Sequence, residues 1–184
     1  MRKNYTRVTD ALYPFSGLQK VDPFMLKNAA ERGTKVHEAC SAIINDMGVI
    51  DLDQKLFGYI KSFQMWRDKE HREIMMAERW YCDKYMLTGE CDFLYKEGKG
   101  FVLVDLKTPA KESKTWPLQG SAYAYLAKEA GINITRIEFI KLSREGKKPI
   151  VYEYEYDFES YLKCLDVYRM FFKDMDNENI LEHI

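Results

Sequence analysis

The chain has 184 residues, 46% of them hydrophobic and 31% charged, a mix that predicts one globular domain with a full core rather than a disordered segment. Its 28 Lys and Arg against 29 Asp and Glu leave a net charge of −1, which on its face speaks against a nucleic-acid binder, because phosphate partners call for a basic excess. No apolar run reaches the roughly 20 residues of a membrane helix, no secretory signal opens the chain, and Cys40, Cys82, Cys91 and Cys164 fit no disulfide, zinc or iron–sulfur spacing.

In chain order, Asp22-Pro23 reads as a helix N-cap followed by Pro at the first helical position. That helix is expected to run to about Asn45, bent or broken near Arg32-Gly33, and to end at Gly48. Val36, Ala39, Cys40, Ile43 and Ile44 form its buried stripe. Asp51 or Asp53 caps a second helix reaching about Asp68, with Leu56, Ile60, Phe63 and Met65-Trp66 on its apolar side. Strands are predicted over 73–82, 86–96 and 100–107, the last two joined by a Glu97-Gly98-Lys99-Gly100 hairpin turn. The unbroken apolar run Phe101-Val102-Leu103-Val104 suits a strand covered on both faces. A helix follows from Trp116-Pro117 to Ala130, stopped by Gly131. Strands at 135–142 and 149–156 flank the basic turn Arg144 to Lys148. The last helix spans about 157–175, with Tyr161, Leu165, Tyr168 and Phe171-Phe172 inward. This order predicts a mixed α/β fold with a central mixed sheet of about five strands flanked by helices.

The chemistry begins at Asp105-Leu106-Lys107. Side chains i and i+2 share one face of a strand, so a carboxylate and an ammonium emerge together at the end of the most apolar strand. Alone, this pair reads equally as a strand-end salt bridge. Asp92 lies upstream across the hairpin, and two carboxylates brought together there need a shared proton or a cation. Hard oxygen ligands suit magnesium or manganese. Glu90 shares a strand face with Asp92, so both remain candidates, and a solvent-facing pair is the competing reading. His37 sits on the first helix, where a hydrogen-bonded helix histidine is the simpler alternative to a ligand. Gln119 and Tyr123 stand at i and i+4 on one helix face.

Gly33-x-x-x-His37, Gly89-x-x-Asp92, Asp105-x-Lys107 and Gln119-x-x-x-Tyr123, in that order, resemble the RecB-like branch of the PD-(D/E)XK nucleases. Val8-Thr9-Asp10-Ala11-Leu12 and Arg32-Gly33-Thr34 resemble its phage-type exonucleases. The resemblance implies a restriction-endonuclease-like core in a single nuclease domain: a helical part over 1–72, a catalytic sheet and helix over 73–156, and a C-terminal helix and tail over 157–184. It implies that His37, Asp92, Asp105 and the Leu106 carbonyl ligate Mg2+ or Mn2+, that Lys107 handles the attacking water, and that Gln119 and Tyr123 orient the site and contact the strand. Glu78 is a further candidate near it. With Cys164 the single cysteine after the Gln119–Tyr123 helix, no iron–sulfur cluster is expected.

The implied activity is a metal-dependent deoxyribonuclease, an exonuclease on DNA ends or single strands. A non-catalytic DNA-binding module of the same fold and a structure-specific endonuclease are the alternatives. An intracellular, prokaryotic or phage-encoded enzyme follows, with a recombination or replication partner or self-association supplying processivity. Charge by segment fits a DNA substrate better than the average does. Residues 1–92 hold 14 basic and 14 acidic side chains, 93–148 hold 11 and 6, and 149–184 hold 3 and 9. Lys111, Lys114 and Trp116 follow the catalytic strand as a basic and aromatic groove candidate. Arg144, Lys147 and Lys148 form a second basic cluster, and Arg2, Lys3, Tyr5 and Arg7 an arm expected to lie over the site.

Overall fold

A computed structural model describes residues 4–47, 53–69 and 73–172. Two short elements lead: β1 (Thr6–Arg7) and α1 (Val8–Leu12). Then comes α2 (Pro23–Ile44), where the Asp22 carboxylate accepts from the Met25 amide at 3.1 Å and Pro23 begins the helix. Such a cap contributes about 1 kcal/mol. The helix is unbroken at Gly33, against the sequence expectation. Glycine costs a helix only about 1 kcal/mol, and the buried Val36, Ala39 and Cys40 that follow anchor the next turns. Gly48 and Asp51 lie outside the described residues. Asp53 caps a short 3-10 turn leading into α3 (Phe57–Arg67), whose Ile60, Phe63 and Trp66 are buried as expected while Met65 faces solvent.

The strand run divides more finely than the sequence suggests, into β2 (Ile74–Met76), β3 (Trp80–Cys82), β4 (Leu87–Gly89), β5 (Phe93–Glu97) and β6 (Gly100–Lys107). After these come α4 (Trp116–Glu129), β7 (Ile134–Lys141), β8 (Ile150–Tyr154) and α5 (Phe158–Phe171). The main sheet has five strands in the order β2-β5-β6-β7-β8, antiparallel except for β6 and β7, which run parallel through the α4 crossover. Strands β5 and β6 form the expected hairpin, with Phe93 opposite Val104, Glu97 opposite Gly100, and Gly98 at a φ of 58°. The segments 73–82 and 86–96 each split because β3 and β4 leave the main sheet. They pair with each other, and β4 takes β1 as a parallel neighbour, making a second sheet of three strands.

Strand β6 is covered on both faces, as its apolar run requires. Val102, Val104 and Leu106 pack with Val36, Cys40, Phe63 and Trp66 under α2 and α3. Leu103 packs on the other side, with Ile137, Phe139 and the buried faces of α1, α4 and α5. Gly120 lets α4 lie close on that side: a Cβ there would meet Ile137 Cγ2 at 2.5 Å and Phe139 Cε2 at 2.9 Å. On α5, Tyr161, Leu165 and Tyr168 are buried and Phe172, four residues after Tyr168, packs partly against the core, whereas Phe171 lies off that row and is 64% exposed. The fold is mixed α/β, with a central mixed sheet of five strands flanked by helices.

Candidate active site

The site gathers where β5 begins, opposite Val104, and β6 runs on past it to Lys107. Asp92 immediately precedes β5, and its Oδ2 accepts the Leu106 amide of β6 at 2.6 Å. A side chain therefore serves as the acceptor on β6 where the β5 backbone has turned away. A strand residue presents its N–H and C=O to the same edge, so the Leu106 carbonyl opens toward Asp92 as well. The second Asp92 oxygen lies 2.6 Å from His37 Nδ1 on α2. Burial opposes charge on His37, but the Asp92 carboxylate, and more weakly Asp105, outweigh it and raise the imidazole pKa above its ordinary value. Gly33, one turn before His37, brings that part of α2 against the end of β6, with Thr108 Oγ1 3.8 Å from where a Cβ would stand.

On the α4 face, Asp105 and Lys107 stand side by side, as strand periodicity requires. Lys107 Nζ lies 2.6 Å from Asp105 Oδ2 and donates to Gln119 Oε1 at 3.0 Å. Gln119 Nε2 in turn donates to the Tyr123 hydroxyl at 3.0 Å. Phe139 and Trp116 floor the ammonium, their ring centres 4.9 and 5.8 Å from Nζ. Asp105 is 5% exposed. Its burial raises the carboxyl pKa, Lys107 opposes the rise, and the nearby Asp92 charge adds to it. Tyr123 stays a neutral hydroxyl, its pKa pushed up by burial and by Asp105. Its ring lies against Gly89, where a Cβ would come within 2.7 Å of Tyr123 Cε1 and 3.0 Å of Val8 Cγ2.

The structure thus brings together His37, Asp92, Asp105, Leu106, Lys107, Gln119 and Tyr123. Other candidates stand apart. Glu90 is exposed and ion-pairs with Arg79, whereas Asp92 reaches His37 and the Leu106 amide. Glu78 is exposed on the link between the two sheets. Trp116 is 4% exposed and stacked with Phe139 in the core, so its ring supports Lys107 from below and offers no face to a base. Lys111 and Lys114 are exposed on the β6–α4 loop, which Lys141 holds by a 3.0 Å bond to the Ala110 carbonyl. Tyr5 is engaged with Tyr81 and Asp83, and Arg7 with Asp10, so neither reaches over the site. Arg2 and Lys3 lie outside the described residues.

Sequence reasoning missed Phe139 as the platform under Lys107. Its place opposite Asp105 follows from the parallel β6–β7 register, which no local pattern encodes. It also missed an open cleft of about 690 Å³ along α2, running from Gly33 and His37 to Asn45 and Met47.

Two carboxylates, an imidazole and a strand-edge carbonyl are suitable donors for a hard divalent ion. Asp105 Oδ2 is buried with the Lys107 ammonium 2.6 Å away, and a carboxylate oxygen with one such partner keeps a lone pair for a further cation. As they stand, Asp92 and Asp105 are occupied by His37 and Lys107. No three His, Cys, Asp or Glu side chains among the described residues are arranged around one ion point.

No family model matches the chain, and no curated protein matches it in sequence. Solved structures do match in fold. The crystal structure of SSO0001 superposes with a TM-score of 0.51 at 10% identity, covering 94% of this chain and 79% of that one. An alkaline exonuclease from Laribacter hongkongensis superposes with a TM-score of 0.50 at 11% identity, covering 96% and 90%. At such identities the likeness is one of fold.

Proposed function

We propose that this chain is a single-domain, divalent-metal-dependent deoxyribonuclease that acts as an exonuclease on DNA ends or single strands. The observation that carries the reading is the pair of carboxylates, Asp92 and Asp105, at the open end of β6, with Lys107 held between Asp105 and Gln119. The shared fold with an alkaline exonuclease supports it, as do the four ordered motifs.

In this reading Asp92, Asp105, the Leu106 carbonyl and His37 hold magnesium or manganese. The ion, when bound, lowers the pKa of a water and polarises the phosphoryl oxygen. These groups would be its ligands, with the Asp92 and Asp105 carboxylates supplying the negative charge. Lys107, held between Asp105 and Gln119, would hold the attacking water and offset the charge that gathers on the phosphate. Gln119 fixes where the ammonium sits, and Tyr123 fixes Gln119. These last two are positioning residues, because both are buried beneath Lys107. The cleft along α2 is the path for the substrate strand. No described helix is long and apolar enough to cross a membrane, and an intracellular site of action accords with DNA as substrate.

The test is digestion of linear and circular DNA, single- and double-stranded and labelled at either end, with manganese or magnesium and with chelator as control. Metal-dependent release of mononucleotides from linear DNA, with circles intact, is the expected result. Cleavage of circles makes the enzyme an endonuclease. DNA retained without turnover under any divalent ion makes the chain a binding module.

A further inference from the structure

The turn between β7 and β8 is built more rigidly than a solvent loop needs to be. It leaves the main sheet at the edge where β6 ends, since β6 and β7 run parallel with Lys107 opposite Lys141. The Leu142 amide still donates to the Lys107 carbonyl at 2.8 Å, so the turn starts one strand, about 4.8 Å, from the Lys107 backbone. Ser143 then reaches across to α3, its amide donating to the buried Ser62 hydroxyl at 3.0 Å. The Glu145 amide returns to Ser143 Oγ at 3.2 Å and the Gly146 amide to the Ser143 carbonyl at 3.2 Å. Gly146 has a φ of 69°, which favours glycine, and the buried Pro149 ends the loop.

The seat on α3 is as specific. A Cβ on Gly58 would stand 1.7 Å from the Arg144 carbonyl oxygen, so only glycine lets the turn rest there. The turn carries one carboxylate, the exposed Glu145, which accepts from Ser143 Oγ at 3.3 Å. Arg144, Lys147 and Lys148 are exposed on the turn, with Lys61 of α3 beneath Gly146. Among the described residues, none of these four cations is paired with a carboxylate at salt-bridge distance. Three exposed cations therefore stand on a backbone fixed by both its neighbours, so the turn itself loses little freedom if they share a ligand.

We infer that the Ser143–Lys148 turn is a phosphate anchor that grips the nucleic-acid backbone beyond the scissile bond and holds the strand in line with Lys107. This rests on the nuclease reading and adds to it a second, non-catalytic contact. Arg144, Lys147 and Lys148 take phosphate oxygens, while Gly58 and Ser62 set where those cations stand.

The test is fluorescence anisotropy of short and long labelled oligothymidylates on the full chain in chelator, across a salt titration. Replacing Arg144, Lys147 and Lys148 together by Ala is expected to weaken binding of the long strand. The slope of log affinity against log salt falls by about 2, three charges at about 0.7 each on a single strand. The short strand, which reaches only the catalytic residues, loses little. Gly58→Ala keeps every charge but displaces the turn, and it is expected to lower the long-strand affinity in the same direction. Should Gly58→Ala fail to fold, Ser62→Ala, which removes only the bond to the Ser143 amide, takes its place. An unchanged slope in the triple variant overturns the anchor and leaves the nuclease reading standing. Wild-type protein that binds no oligothymidylate at low salt removes both.

Discussion

The two halves of the site are built on opposite principles. The Asp105–Lys107 half is buried, floored by Phe139 and Trp116 and tied through Gln119 to Tyr123, so every group has one place to be. The His37–Asp92 half is more open, its side chains 33% and 19% exposed, and its hydrogen bond ties helix α2 to the residue just before β5. The difference teaches a division of labour. On the proposed reading, Lys107 meets the phosphate from a recess where its place is already set, so that electrostatic stabilisation needs little rearrangement. His37 and Asp92, which would share the ion with Asp105, sit where water has access.

The largest effect expected from this contrast is on rate. Lys107→Ala and Asp105→Asn should each reduce metal-dependent nucleotide release by at least roughly 100- to 1000-fold, with the circular-dichroism spectrum unchanged. Activity within a few-fold of wild type in both would break the comparison at its buried end. His37→Ala tests the open end. It should raise the metal concentration for half-maximal rate by about 10- to 100-fold, with most of the rate restored at saturating metal. A loss of rate that no metal concentration restores would place His37 with the buried groups instead.

Gly120→Ala sharpens the contrast through stability. Its methyl would press on Ile137 and Phe139, and overpacking of this kind costs about 1–3 kcal/mol. The shift should appear as a lower urea midpoint, with activity lost in proportion to how far α4 is lifted from Lys107. The smallest effect concerns the thiols. Burial drives the Cys40 and Cys91 thiol pKa values far up, and nearby carboxylates add to the rise. Both should stay protonated and slow toward a thiol reagent at neutral pH, while the partly exposed Cys164 reacts first. Peptide mapping after brief labelling reads the order.

Much of the buried half could be read from the sequence, because it is local. The i, i+2 spacing of Asp105 and Lys107, the i, i+4 spacing of Gln119 and Tyr123, and the hairpin around Gly98 each carry their own periodicity. The open half depended on a contact 55 residues long, between His37 and Asp92, and only the ordered motifs pointed to it. Local propensity misled in two places. The runs 73–82 and 86–96 are strand-like throughout, so nothing in them marks where the chain passes from one sheet to the other. Trp116 follows two lysines and reads as a stacking surface, yet it begins α4 on the core side, where Phe139 awaits it. Gly33 looked like a break because glycine weakens helices on average, whereas here the packed residues on its C-terminal side carry the helix through.

Gly89 and Tyr123 touch so closely that the third position of β4 and the middle of α4 make a single steric decision. Their two motifs, 34 residues apart, are then not independent letters in the history of this chain. A larger residue at 89 is tolerated only where residue 123 shrinks or withdraws, and Val8 must make room as well. Among descendants of this sequence the three positions should drift together, and a substitution harmless in one lineage should be disabling in the next.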